Sequence, residues 1–91
     1  MAVVTAVVQV SNKLGLHIHP AEMISRTALH YRSLITIAKG EEVADARSAV
    51  ALVALGADLG TTLVIHAEGV DAEPAVAAIV KLCAAKFGEE D

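Results

Sequence analysis

Val4, Ala6, Val8 and Val10 alternate with Thr5, Val7 and Gln9. A period of two belongs to a strand with one buried face, so this stretch predicts a first strand resting on a core. Ser11 to Gly15 read as a loop. From Pro20 to about Arg32 the period lengthens, and Ile24, Ala28 and Tyr31 are spaced to share one face of a helix. Met23 falls off that face, as an apolar docking contact would. Leu34 to Ala38 predicts a second strand with Ile35 and Ile37 facing one way. Lys39-Gly40-Glu41 then turns the chain into a short third strand, Glu42 to Ala46, at a sheet edge.

Ser48 is placed to cap a short helix that stops at Gly56. Asp58 to Gly60 turn into a fourth strand, with Leu63, Ile65 and Ala67 inward and Thr62, Val64, His66 and Glu68 outward. Glu68-Gly69-Val70-Asp71 leads to a final helix, about Ala72 to Phe87. Its core stripe is Val76, Ile79, Val80, Cys83 and Phe87. The order is βαββαβα. Strands of alternating polarity predict an α+β open-faced sandwich, a four-stranded antiparallel sheet with three helices on one face.

Ninety-one residues make one domain, 1–91. A chain of this mass buries roughly 63% of its unfolded surface, enough to fold without a metal or disulfide but not to enclose a deep pocket. Function is therefore expected at the surface, with no cofactor. Seven Lys plus Arg face eleven Asp plus Glu, and the basic residues are scattered, which argues against nucleic acid as a partner. Tyr31 and Phe87 are the only aromatic residues, so a base-stacking platform is lacking. Cys83 is the single cysteine, excludes an internal disulfide, fits a reducing compartment and reads as a packing residue. The N-terminus lacks the basic start of a signal peptide and no apolar run reaches membrane-spanning length, which predicts a cytoplasmic protein without membrane insertion. Glu89-Glu90-Asp91 read as a solvated acidic end.

Chemistry gathers at Gly15-Leu16-His17-Ile18-His19-Pro20. Pro20 suits the first turn of a helix, and the residue before a proline avoids helical dihedrals. That places His17 on a loop just ahead of a helix N-terminus, where free N–H groups and the helix dipole favour negative charge. An imidazole there can carry a phosphoryl group, or bind an anion or a metal. A stable metal site needs three or four ligands, and no Cys or His pair elsewhere completes one with His17 and His19, so no metal is expected. His30, near the end of the first helix, suits its exposed carbonyls, and His66 reads as a surface residue.

The order of elements, Gly15-Leu16-His17 with Pro20-Ala21, and Ala46-Arg47-Ser48 opening a helix that ends in Leu55-Gly56 resemble the histidine-containing phosphocarrier (HPr) family of the bacterial sugar phosphotransferase system. The similarity runs from about Val4 to Phe87. The resemblance implies a carrier rather than an enzyme. His17 matches the position phosphorylated on Nδ1 by enzyme I using phosphoenolpyruvate, and the group then passes to a sugar-specific enzyme IIA. Ser48 matches the position modified for regulation by an HPr kinase/phosphorylase in many members. Ala21, Met23, Ala49, Val50 and Val53 match the apolar docking surface, with Arg26 and Arg47 near its basic rim. A carrier of this size needs no partner to fold, so a monomer is expected.

His19 departs from the family pattern, which usually has arginine before the proline. Arginine is always charged and holds two phosphate oxygens at once, whereas histidine offers one donor per nitrogen. His19 is therefore read either as a phosphate contact or as a tolerated surface replacement. Ser48 is equally a plain N-cap or a regulatory phosphosite. The alternative to a carrier is a regulatory phosphoprotein acting through Ser48 in carbon or nitrogen metabolic control without sugar transport. A small-ligand or RNA-binding α+β module has only the architecture behind it.

Overall fold

The computed structural model describes residues 1–89, so Glu90 and Asp91 of the acidic end lie outside the described residues. Strands β1 (Ala2–Gln9), β2 (Leu34–Lys39), β3 (Glu42–Asp45) and β4 (Thr62–Gly69) alternate with helices α1 (Ile18–Ala28), α2 (Ala49–Ala54) and α3 (Ala72–Ala84). The order is the expected βαββαβα. The sheet runs β1-β4-β2-β3 and every neighbouring pair is antiparallel. β3 is an edge strand, as its brevity predicts.

Register explains how the alternation builds a core. Ala6 pairs with Ile65, and Ile65 with Ile37, so one row of small and branched side chains crosses three strands. Ile35, Ile37, Leu63 and Ile65 all point toward the helices and are fully buried with Ile24, Leu52 and Ile79. Thr5, His66 and Thr36 form a polar row on the opposite, open face. His66 is half-buried there, with its ring nitrogens 3.1 Å from Thr5 Oγ1 and 3.1 Å from Glu68 Oε1.

The strands differ from expectation by one or two residues at their ends, and the larger differences are at the helices. α1 begins at Ile18 because His17 is extended (φ −77°, ψ −173°) and caps the helix, its carbonyl accepting the Ala21 N–H at 3.0 Å. Pro20 remains in the first turn, where a missing N–H leaves no bond unmade. α1 ends at Ala28 because the Asp71 carboxylate accepts the N–H groups of Arg32 and Ser33 at 2.8 and 2.9 Å and draws the chain into β2. Tyr31 is thus half-buried beyond the helix, and His30 is exposed past its end rather than within its last turn. α3 stops at Ala84, and a 3₁₀ turn, Lys86–Gly88, follows with Phe87 buried. Met23, expected off the core, is half-buried and packs against it.

α2 has six residues, too few to hold a helix in water alone. Its ends are tied instead. Ser48 Oγ accepts the Ala51 N–H at 3.1 Å, and Lys39 Nζ donates to the Leu55 and Gly56 carbonyls at 3.0 and 3.3 Å. Leu52 anchors the middle, fully buried. Ser48→Ala is expected to lower the unfolding free energy by about 1 kcal/mol, read as a shifted urea midpoint at unchanged slope.

Candidate functional site

The loop from β1 to α1 is pinned before it reaches His17. Gly15 adopts φ +72°, and the next residue, buried Leu16, donates its N–H to the Ala57 carbonyl at 2.8 Å. His17 then sits at the N-cap of α1 with no side-chain bond to the helix, its side chain 34% exposed. The amides of the first turn have no carbonyl of their own helix to bond, and Pro20 has no amide. The ring therefore stands at the positive end of the α1 dipole.

A carboxylate and an amide complete the arrangement. His17 Nε2 lies 2.5 Å from Glu89 Oε2. Asn12, fully buried, donates from Nδ2 to the Gly15 carbonyl at 2.7 Å and to Glu89 Oε1 at 3.1 Å. The Asn12 hydrogen bond holds the Glu89 carboxyl below its usual range, and the bond and charge of His17 and the charge of His19 push the same way. Glu89 is thus tied to the site rather than part of a solvated end. The reason is the turn at Lys86–Gly88, which brings the chain back toward the loop.

His19 is exposed on the first turn of α1, its ring centroid 6.4 Å from that of His17 and tilted by 31°. Among the described residues no three His, Cys, Asp or Glu side chains are grouped to hold a metal ion. Cys83 is buried, which pushes its thiol up to about 11, as a packing residue requires.

Of the expected docking residues, Ala21 has no surface to offer. It is fully buried under α1 and belongs to the core. Val50 and Val53, one turn apart on α2, are exposed, while Met23 and Ala49 are half-buried. Arg26 is exposed, and Arg47 is engaged by both carboxylate oxygens of Asp45 at 3.1 and 3.3 Å. Ser25 Oγ donates to the Arg47 carbonyl at 2.7 Å and ties α1 to the start of α2. Exposed Leu14 and Ile18 flank His17, and sequence reading missed them along with Asn12 and Glu89. Leu14 and Ile18 were legible only as apolar residues adjoining the histidine; nothing local marks Asn12 or Glu89.

The chain is similar over most of its length to known proteins. A family described as the PTS HPr component phosphorylation site matches residues 4–85. The chain is 39% identical over 82 residues to the phosphocarrier protein NPr of Shewanella violacea, covering 90% of each. It is 31% identical over 78 residues to the phosphocarrier protein HPr of Cupriavidus necator, covering 86% of this chain and 88% of that one. The crystal structure of HPr-C-His from Thermoanaerobacter tengcongensis superposes with a TM-score of 0.89 at 37% identity, covering 100% of both chains.

Proposed function

The chain belongs to the HPr family of phosphotransferase-system phosphocarriers, which carry a phosphoryl group rather than catalyse a reaction, and from that premise we propose that His17 is its phosphoacceptor. The observation that carries this reading is the half-buried His17 ring at the N-cap of α1, beside amides that have no helical partner. A neutral imidazole nitrogen is nucleophilic near neutral pH, and the N–P bond it forms is labile enough to pass on. Phosphoryl transfer asks the protein for position and charge stabilisation, which the first turn of α1 supplies.

In this reading enzyme I, charged by phosphoenolpyruvate, is the donor and an enzyme IIA domain the acceptor. Residues 1–91 act as one unit, as a monomer in the cytoplasm. Met23, Ala49, Val50 and Val53, joined by Leu14 and Ile18, form the apolar docking surface, with Arg26 and Arg47 at its rim. His19 contacts the phosphate in place of arginine. Pro20 keeps the first turn open by contributing no competing N–H.

His19 also favours a second reading, since an imidazole in place of the two-pronged arginine fits a chain on which the demand for fast transfer is relaxed. There the chain is a regulatory phosphoprotein modified on Ser48 by an HPr kinase/phosphorylase. A phosphate on that cap would place about two negative charges beside Val50 and repel acidic partners.

Intact-protein mass after incubation with enzyme I and phosphoenolpyruvate decides between them. One acid-labile phosphate is expected on the wild type and none on His17→Ala, with faster labelling of His19→Arg. Label persisting in His17→Ala overturns the assignment. An acid-stable phosphate on Ser48 alone, added by the serine kinase, supports the second reading.

A further inference from the structure

We propose that Glu89 is the positioning residue for His17, holding the Nε2 proton so that the Nδ1 lone pair faces the incoming phosphoryl group. The inference rests on the phosphoacceptor reading of His17 and adds a residue to it. Asn12 fixes the chemistry. Its second contact besides Glu89 is the Gly15 carbonyl, which only accepts, so the nitrogen of the Asn12 amide faces both partners. Glu89 Oε1 is then an acceptor, and the carboxylate is ionised across the neutral range because its hydrogen bonds favour the charged form.

An ionised carboxylate cannot donate. The 2.5 Å contact between Glu89 Oε2 and His17 Nε2 therefore requires the proton on Nε2. In the neutral ring the lone pair is left on Nδ1, which is the nitrogen this family phosphorylates. When the Nδ1–P bond forms, the bond from phosphorus to the donor atom on enzyme I breaks, and its electron pair stays with that atom. The Nε2 proton remains in place and the ring gains positive charge. Glu89 balances that charge, the relation an aspartate has to histidine in hydrolase triads.

The backbone gives independent support. Lys86, Phe87 and Gly88 take φ of +53°, +55° and +76° in succession, and two of the three are not glycine. Side-chain-bearing residues resist that region, and such strain persists where the surroundings over-determine it. Phe87, 3% exposed, is the anchor that does so here. A solvated tail would need no such reversal. This one returns Glu89 to a residue 72 positions away in the chain.

The test is ¹⁵N NMR of the His17 ring in the unphosphorylated protein, run beside enzyme I labelling rates. Wild type is compared with Glu89→Gln, which keeps the size without the charge, and Glu89→Ala. The wild-type neutral ring is expected to be protonated on Nε2. Both variants should lose part of that preference and label roughly tenfold more slowly, with the loss in the maximal rate rather than in KM for the carrier. Ring signals unchanged in both variants overturn the assignment, whatever the labelling shows. A wild type that takes no label at all defeats the carrier reading instead, and the two failures are read separately.

Discussion

Gly15→Ala is expected to lower the unfolding free energy by about 3 kcal/mol and to slow phosphoryl acceptance at His17. A side chain at φ +72° costs ~1–2 kcal/mol by itself. The added methyl would also lie 2.5 Å from the Ala57 carbonyl oxygen and 3.1 Å from Asp58 Cα, both backbone atoms that cannot swing aside. Overpacking of that kind adds ~1–3 kcal/mol. The same Ala57 carbonyl accepts the Leu16 N–H, so relieving the clash pulls apart the bond that pins the loop. Gly40→Ala is the control. Its φ is +59°, but nothing lies within 4 Å of the new methyl, so only the conformational cost of ~1–2 kcal/mol remains. Urea unfolding of both variants checks the difference, and equal midpoints would remove the steric argument.

Ile65→Ala is expected to cost about 3 kcal/mol, within the range for truncating a fully buried branched residue. Ile65 is in β4, an interior strand, between Ala6 on β1 and Ile37 on β2, and no exposed edge lets the sheet close over the gap. A domain of this length has roughly 5–14 kcal/mol of stability in all, so a single truncation removes a large share. Val64→Ala, one residue away on the open face, should cost under about 1 kcal/mol. Thermal or urea unfolding of the pair measures the two faces of one strand against each other. Similar losses at both positions would mean that the open face is covered.

Alternation made β1 and β4 legible, because each has one buried face and a one-residue slip would expose its whole core set. Ser48 as the cap of α2 was equally legible, since its bond to Ala51 is local. The start of α1 was not. The rule that residues before proline avoid helical dihedrals gave way to His17, whose extended backbone opens the helix two residues earlier than Pro20 would. Resemblance placed Ala21 on the docking surface by its position along the chain, but only the packed helix shows that its methyl faces inward. His17, His19 and Pro20 could be read together because they are contiguous. Asn12 and Glu89 could not, since their meeting depends on a reversal at Lys86–Gly88 that no turn motif announces.

The β1-β4-β2-β3 order also bears on how the chain acquires its structure during synthesis. β1 has a single neighbour, β4, and the facing residues Thr5 and His66 stand 61 positions apart. β2 and β3, joined by a tight turn, can close on the microsecond scale, whereas pairings between distant strands are slow. A translating ribosome adds roughly 5–20 residues per second, so the valine-rich first strand waits several seconds before its partner exists. β1 thus emerges before β2, β3 and β4 yet can pair only with the last of them, so its inward row of Val4, Ala6 and Val8 is unpaired for most of the synthesis of the sheet.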